Sequence, residues 1–216
     1  MKVGTDAVLL GAYADVLQAT RILDIGTGCG VIAIMLAQRS AAIIEGVEID
    51  EASAEQAGYN VSLCPWPGRI TITHASFQDH CLKHHGSFDL VISNPPFFSN
   101  SLKSPGQNRN LARHTKGYEE LVRCAKQALS PSGKWWLILP FNESDKFIVN
   151  ARQEGFHLHH RLDIFPKAGK KAHRNILSLG REEQAPFSTA SLTIRDQDGS
   201  FTEEYKKLTC EFYLNF

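Results

Sequence analysis

The sequence predicts an α/β fold in which a mostly parallel sheet is covered by helices on both faces. From about residue 21 to residue 140, short apolar runs rich in β-branched residues alternate with longer segments of helical period. No low-complexity linker interrupts this alternation. The pattern indicates βαβ units, and therefore parallel strands joined by crossover helices. At 216 residues the chain is long enough to bury one sizeable core.

The individual elements follow from their periodicity and from the turns between them. Strands are predicted at Arg21–Ile25, Ile43–Glu48, Arg69–His74, Phe88–Ser93, Lys134–Leu139, His157–Phe165 and Ile176–Leu179, with Ser191–Ile194 as a weaker candidate. Helices are predicted at Gly30–Arg39, Glu51–Leu63, Tyr118–Leu129 and Glu143–Gln153. We therefore expect a doubly wound, seven-stranded sheet. We also expect a single domain over residues 1–216, with a core at about 20–182 and an extension at 183–216.

Composition and charge narrow the classes of function. The 23 Lys and Arg residues balance 23 Asp and Glu residues, so nucleic-acid contact would need a local basic patch. The five cysteines are widely spaced and form no C-x-x-C pair, which favours a reducing compartment over disulfides. The amino terminus lacks a basic region followed by an apolar run and a cleavage site. We expect a soluble, cytoplasmic protein that does not contact a membrane.

A glycine-rich turn follows the first predicted strand, where residues 23–30 read LDIGTGCG. Gly26, Gly28 and Gly30 let the backbone approach a ligand at the carboxyl edge of the sheet. Their spacing departs from the G-x-G-x-x-G dinucleotide fingerprint, which places a pyrophosphate at a helix N-terminus. S-adenosylmethionine has no phosphate and carries a cationic amino group and a sulfonium, so the carboxylate of Asp24 suits it. A strand-to-helix turn without a ligand is the alternative.

Two further acidic residues extend this predicted cofactor site. The second strand ends in GVEID at residues 46–50, about 20 residues after the glycine turn, where an acidic side chain can accept hydrogen bonds from ribose hydroxyls. Glu48 is the candidate for that role, because Asp50 immediately precedes a predicted helix and suits a helix cap. Asp79 follows the third strand and is the candidate acceptor for the adenine amino group.

The fourth predicted strand runs directly into an N-P-P-F motif. The exocyclic amine of a base is a poor nucleophile because its lone pair is delocalised into the ring. The side-chain oxygen of Asn94 and the carbonyl of Pro95 can accept its two N–H bonds, which favours a tetrahedral nitrogen with a directed lone pair. Pro96 stiffens the loop, while Phe97 and Phe98 can stack on a base that has left its neighbours. A Pro-Pro turn without a catalytic role is the alternative.

Together, D-x-G-x-G-x-G, V-E-I-D and N-P-P-F resemble the motifs of the class I, Rossmann-like S-adenosylmethionine-dependent methyltransferases that methylate amino groups. The match extends to KVGTDAVLLGAY at residues 2–13 and to ARHT at residues 112–115. Over roughly residues 2–182 the chain resembles the bacterial tRNA1(Val) (adenine(37)-N6)-methyltransferase family. Members usually carry a further segment before the KVGTD run, which here begins at residue 2.

This resemblance implies S-adenosyl-L-methionine as cofactor and tRNA as substrate, with N6-methylation of adenine 37 beside the anticodon. It also implies that Thr5 and Asp6 line the methionine end of the cofactor and that Asn94 serves both cofactor binding and catalysis. A loop that carries Arg113 and His114 would then lie near the substrate.

The densest cationic cluster of the chain is PKAGKKAHRN at residues 166–175. Given a tRNA substrate, Lys167, Lys170, Lys171 and Arg174 are the candidates for binding its phosphates. The alternative is a solvated loop without a partner.

Other substrates and other classes of protein stay open at this point. The same N-P-P-[FY] chemistry serves rRNA guanine-N2 and protein glutamine-N5 methyltransferases, although Phe97 stands where the glutamine enzymes usually carry Tyr. A non-catalytic cofactor-binding partner is a third possibility, which the short amino terminus favours and the intact Asn94 opposes. Two groups of neighbouring residues, Cys81 with His84 and His85 and the run at 157–160, contain metal-ligand types. Neither supplies four ligands at a recognised zinc spacing, so no metal is expected.

Overall fold

The computed structural model describes residues 4–95, 107–184 and 186–214, and the side chains of these residues except those of 107–116. The strands are β1 (Arg21–Ile25), β2 (Ile43–Glu48), β3 (Ile70–His74), β4 (Phe88–Ser93), β5 (Leu129–Pro140), β6 (His157–Phe165), β7 (Arg174–Gly180) and β8 (Ser188–Thr193). The helices are α1 (Thr5–Tyr13), α2 (Val31–Arg39), α3 (Glu51–Leu63), α4 (Phe77–Lys83), α5 (Gln107–Ala128), α6 (Phe141–Gln153) and α7 (Glu203–Thr209), with a 3-10 turn at Pro67–Arg69.

The described strands form one sheet in the order β3-β2-β1-β4-β5-β7-β6-β8. Strands β1 to β5 are parallel. Strand β7 is antiparallel to both of its neighbours, β5 and β6, and β8 is parallel to β6. The chain starts at β1, moves outward to β3 and then returns to β4 on the other side of β1. The carboxyl ends of β1 and β4 therefore meet where the winding direction reverses, which is where open α/β sheets bind their ligands.

Successive side chains along the central strands enter two different hydrophobic cores, one on each face of the sheet. In β1, Ile22 packs in one core, whereas Leu23 and Ile25 pack in the other. In β5, Trp135 and Trp136 are divided between the two cores in the same way. Burial on both faces explains why these strands are nearly continuous apolar runs, without the alternation of a half-exposed strand.

The α/β, mostly parallel fold is confirmed, and several element bounds agree to the residue. The predicted strands Arg21–Ile25, Ile43–Glu48, Phe88–Ser93 and His157–Phe165 are all observed with those bounds, as is the helix Glu51–Leu63. The expected cap is also confirmed, because the Asp50 side chain accepts a hydrogen bond from the backbone N–H of Ser53 at 2.9 Å. No helix in the described ranges is both long and apolar enough to cross a membrane.

The expected number of seven strands was one too few, since β8 adds an eighth at the edge of the sheet beyond β6. Most of its side chains are exposed, and only Leu192 is buried. The strand overlaps the weaker strand candidate Ser191–Ile194 but begins three residues earlier, because an edge strand with so few buried positions carries little apolar alternation.

The helices α1, α4 and α7 were not predicted either. Two of them are seven residues long, too short to establish a helical period. Helix α5 begins at Gln107, well before the predicted start at Tyr118. Arg113 and His114 therefore lie in a helix and not in the expected loop. The polar segment before Tyr118 shows no apolar face that would have indicated a helix.

Candidate active site at the carboxyl edge of the sheet

The glycine-rich turn joins β1 to α2 with a backbone that L side chains rarely adopt. Gly26, Gly28 and Gly30 have φ values of 70°, 57° and 82°. A Cβ atom on Gly30 would approach the Cβ of Ala57 to 3.3 Å, so this glycine lets α2 and α3 pack closely. A Cβ atom on Gly26 would meet no atom within 4 Å, because it would point into open space at the sheet edge. The turn thus leaves a cradle in which a ligand can contact bare backbone.

Asp24 lies fully buried one position before the end of β1. Its Oδ2 accepts a hydrogen bond of 2.6 Å from the Thr27 hydroxyl, while its buried Oδ1 makes no well-formed hydrogen bond. Burial raises the pKa of Asp24 to about 7, and hydrogen bonds from the Thr27 hydroxyl and the Ala33 backbone oppose that rise. An acid held in this state gains a partner when a cationic group approaches, because the charged form is then favoured.

Glu48, the last residue of β2, holds the glycine turn from the neighbouring strand. Its Oε2 accepts a hydrogen bond of 2.9 Å from the N–H of Gly28. Its Oε1 accepts bonds from the N–H groups of Ile49 and Asp50 at 2.9 and 3.0 Å. The predicted ribose acceptor therefore stands directly beside the turn. Three backbone donors fix its carboxylate in place, and its remaining lone pairs can meet hydroxyl groups.

Asp79 lies in the first turn of α4, which begins where β3 ends. Its carboxylate accepts a hydrogen bond of 2.7 Å from the Ser76 hydroxyl, and its N–H donates to the same hydroxyl at 3.1 Å. This reciprocal pair fixes the start of α4 at the carboxyl edge of the sheet. The third acidic position of the predicted cofactor site thus lies on the same edge as Asp24 and Glu48.

Asn94 and Pro95 follow β4 and stand next to the glycine turn. Parallel pairing aligns Ser93, the last residue of β4, with Ile25, the last residue of β1. The residues that come next, Asn94 and Gly26, therefore leave the sheet side by side. The indole N–H of Trp135 donates a hydrogen bond of 3.1 Å to the Ser93 hydroxyl, and Ser93 is fully buried. The base of the N-P-P-F motif is thus fixed by the core, while Pro96, Phe97 and Phe98 lie outside the described residues.

The start of α1 reaches the same edge through an ion pair. Nε of Arg174, at the beginning of β7, lies 3.0 Å from Oδ2 of Asp6, and both side chains are largely buried. The structure thus brings together one residue expected at the cofactor and one expected at the tRNA. Thr5 lies beside Asp6 and is exposed. The contact spans 168 positions along the chain, so no local sequence signal points to it.

The basic segment at residues 166–173 joins β6 to β7. Strand β6 runs in the same direction as β5, because both are antiparallel to β7. The carboxyl end of β6 and the loop after it therefore lie on the same edge of the sheet as the N-P-P-F motif. Lys170 and Lys171 are exposed there, and Lys167 is partly buried. The side chains of Arg113 and His114 lie outside the described residues.

Two contacts of this site were missed in the sequence, namely the Thr27 hydroxyl that holds Asp24 and the Trp135 indole that holds Ser93. Thr27 lies three residues after Asp24 within the same turn, so this contact could have been predicted from the sequence. Trp135 comes from the next strand, and only the observed register of β4 with β5 reveals its contact.

Comparison with known proteins agrees with this geometry. The family model described as "Methyltransferase small domain" matches residues 3–152. The chain belongs to this methyltransferase family. Its relatives include the tRNA1(Val) (adenine(37)-N6)-methyltransferase of Serratia proteamaculans (strain 568), 42% identical over 219 residues that cover 99% of this chain and 84% of that protein. The enzyme of that name from Phocaeicola vulgatus is 44% identical, covering 100% of this chain and 92% of the relative.

Solved structures support the fold of this methyltransferase. A predicted O-methyltransferase from Agrobacterium tumefaciens superposes with a TM-score of 0.75 at 24% identity, over 95% of this chain and 96% of that one. At that identity the likeness shows the fold alone. Because members of the family are S-adenosylmethionine-dependent enzymes, the cofactor expected from the glycine turn is confirmed. The bare backbone at Gly26 and the unpaired Oδ1 of Asp24 fit its cationic methionine end.

We predict that Asp24→Asn changes the pH dependence of stability and weakens cofactor binding. The folded-state pKa of about 7 lies above the ordinary value near 4. The folded chain therefore holds more protons than the unfolded chain between these values, and the free energy of unfolding falls as the pH rises through that window. Asn removes this fall because its amide does not titrate. Its oxygen can still accept the hydrogen bond from Thr27, so the local structure is kept. The substitution also removes the carboxylate that pairs with a cation.

Thermal denaturation at about pH 5 and about pH 8 checks the first effect, since the parent should lose stability between them and Asp24→Asn should not show this loss. Calorimetric titration with S-adenosylmethionine checks the second, with an expected loss of affinity of about ten-fold or more. Asp15→Asn, which changes an exposed side chain just after α1, is the matched control and should behave as the parent. Identical pH profiles for Asp24→Asn and the parent would contradict the assignment.

Proposed function

We propose that this methyltransferase transfers the methyl group of S-adenosylmethionine to N6 of adenine 37 in tRNA1(Val). The observation that carries the proposal is the alignment of Ser93 with Ile25, which brings Asn94 beside the glycine turn. Full-length relatives at 42% and 44% identity bear the name of that activity, which favours it over the guanine-N2 and glutamine-N5 alternatives. A tRNA substrate would locate the reaction in the cytoplasm.

The cofactor would bind along the carboxyl ends of β1, β2 and β3. We assign the methionine end to Thr5, Asp6 and Asp24, with the backbone of Gly26, Gly28 and Gly30 against its middle. We assign the ribose hydroxyls to Glu48 and the adenine amino group to Asp79. When bound, S-adenosylmethionine supplies an electrophilic methyl group on its sulfonium. The order of these residues along the edge supports a binding mode in which that methyl group would lie next to Asn94.

Asn94 and Pro95 act on the target amine. Oδ1 of Asn94 and the carbonyl oxygen of Pro95 accept its two N–H bonds, and this withdraws the lone pair from the ring and directs it outward. The nitrogen becomes positively charged and strongly acidic only after transfer, so its surplus proton can leave to water without a side-chain base. Positioning is the main contribution of the protein to a displacement of this kind. The buried hydrogen bond between Trp135 and Ser93 supplies a rigid base for it.

The substrate is proposed to approach the same edge from the side of β6 and β7. Phe97 and Phe98 would stack on the adenine after it leaves the anticodon loop. Lys170 and Lys171 would contact phosphates, joined by Lys167 and by Arg113 and His114 from α5. Arg174 supports the site in another way, because it is paired with Asp6 and contributes its charge there.

We predict that Asn94→Ala abolishes most of the activity while the protein stays folded. Loss of one acceptor that acts on developing charge should lower kcat/KM by about 100-fold or more, with a much smaller effect on cofactor affinity. The assay is methyl transfer from labelled S-adenosylmethionine to total tRNA that lacks N6-methyladenosine, followed by nucleoside analysis.

The matched control for this assay is Asn150→Ala. Asn150 lies in the last turns of α6, and it is not among the residues proposed to bind the cofactor or the substrate. This control should form N6-methyladenosine at the parental rate. Equal activity of Asn94→Ala and Asn150→Ala would contradict the proposed role of Asn94. Formation of a different methylated product by the parent would contradict the proposed reaction.

We also predict that the double variant Lys170→Ala/Lys171→Ala binds tRNA more weakly without a change in cofactor affinity. Each lost phosphate contact should reduce the slope of log affinity against log salt by about 0.7 to 0.9. Lys83→Ala/Lys126→Ala removes the same charge from the carboxyl ends of α4 and α5, at the opposite edge of the sheet. Filter binding at several salt concentrations compares the two. An equal loss for both pairs would show only a general charge effect.

A further inference from the structure

A second group of ligand-type side chains lies away from the cofactor edge, between β2 and α4. Glu45 lies within β2, His80 lies in α4, and His84 is the residue at which α4 ends. Each offers one ligand atom, and these three atoms all lie within 4.8 Å of one another. Two neighbouring contacts place the group toward the amino ends of the strands. Arg21, the first residue of β1, contacts Glu45, and Phe88, the first residue of β4, contacts the His84 ring.

We propose that Glu45, His80 and His84 form a binding site for a divalent transition metal ion of the zinc class. Imidazole and carboxylate groups are ligands that Zn²⁺ prefers, and three protein ligands leave a fourth position for water. The sequence alone suggests that His80 and His84 lie close together, because residues four apart lie on one face of a helix. Glu45 could not be predicted as the third ligand, because only the fold brings β2 next to α4.

The distances suit this ion. Nε2 of His80 lies 3.4 Å from Oε2 of Glu45. Zn–ligand bonds of about 2.0 to 2.1 Å at tetrahedral angles place neighbouring ligand atoms about 3.3 to 3.4 Å apart. The His80 and His84 rings are stacked with centroids 4.4 Å apart. His84 must therefore turn its ring to complete the coordination, and its part-exposed position at the helix end leaves room for that movement.

His80 is poised as a ligand. It is only 5% exposed, and its Nε2 makes no well-formed hydrogen bond. Burial, reinforced by the neighbouring His84 and Lys83 and opposed by Glu45, lowers the pKa of His80. The partner of Nε2 is Oε2 of Glu45, at the long distance of 3.4 Å, and a metal ion bound between these two atoms would give each of them a closer partner.

Glu45 is held in place from its other oxygen. Nη2 of Arg21 donates to Oε1 at 2.7 Å, which leaves Oε2 directed at His80. A partner of this kind fixes the orientation of a metal-ligating carboxylate. The positive charges of Arg21 and Lys83 also lower the affinity for a cation, so we expect moderate binding. The simplest alternative is a His–Glu ion pair that binds no metal.

The site would be structural, since it lies away from Asn94 and the glycine turn. A metal ion there would tie α4 to β2, and the first turn of α4 carries Asp79. It would therefore stabilise the helix that presents the proposed adenine acceptor, without touching the reacting atoms.

The test is a titration of the untagged, metal-stripped full chain with Co²⁺, which gives strong visible absorption in a tetrahedral site, followed by displacement with Zn²⁺. His84→Asn removes a proposed ligand, and His85→Asn removes the exposed histidine next to it as a matched control. We expect one Co²⁺ per chain for the parent and for His85→Asn. We expect at least about ten-fold weaker binding and loss of the absorption for His84→Asn.

The proposal fails if the parent gives no such absorption, or if His84→Asn and His85→Asn bind Co²⁺ equally well. Thermal denaturation adds a second readout, because Zn²⁺ should raise the Tm of the parent and of His85→Asn but not that of His84→Asn. Unchanged affinity of His84→Asn for S-adenosylmethionine would show that the variant is folded. These outcomes do not depend on which RNA the enzyme methylates.

Discussion

The parallel pairing of β1 with β4 is the constraint on which the rest of the site depends. It aligns Ile25 with Ser93, so that the glycine turn and the N-P-P-F motif leave the sheet at the same point. The chain runs outward from β1 to β3 before it returns to β4. One half of the sheet therefore carries the residues proposed to bind the cofactor, and the other half carries the residues proposed to act on the target amine. Neither motif alone specifies the reaction, and in the proposed mechanism their juxtaposition would bring the methyl group next to the target amine.

Buried polar side chains hold the proposed active site in place, and one of their oxygen atoms, Oδ1 of Asp24, makes no well-formed hydrogen bond. Asp24 occupies a core position in β1, where burial disfavours its charge and the Thr27 hydroxyl donates to its Oδ2. Such an arrangement lowers the free energy of unfolding of the free protein. Binding of a cation beside the carboxylate would restore that stability. On the other side of the crevice, Trp135 donates to the buried Ser93. The same core that stabilises the fold therefore fixes the position of Asn94.

The sequence analysis succeeded where burial leaves a strong local pattern and failed where contacts are distant. The strand that ends at Ile25 and the helix that follows Asp50 are bounded by apolar runs, a glycine turn and a cap, all of which are local. Strand β8 is an exposed edge with little apolar pattern. The pair of Arg174 with Asp6 joins residues 168 positions apart, and its existence depends on β7 lying beside β5. The elements that carry the proposed cofactor positions were thus predictable, whereas the supporting contacts could be found only from the fold.

The most direct test of the account compares two tRNA1(Val) transcripts that differ only at position 37. The account predicts that the transcript with adenine 37 acquires N6-methyladenosine and that the transcript with guanine 37 acquires no methyl group, because guanine carries a carbonyl oxygen at position 6 where adenine carries the amine. Nucleoside analysis after single-turnover reactions reports both products. Equal methylation of both transcripts, or N2-methylguanosine in the second, would contradict the account.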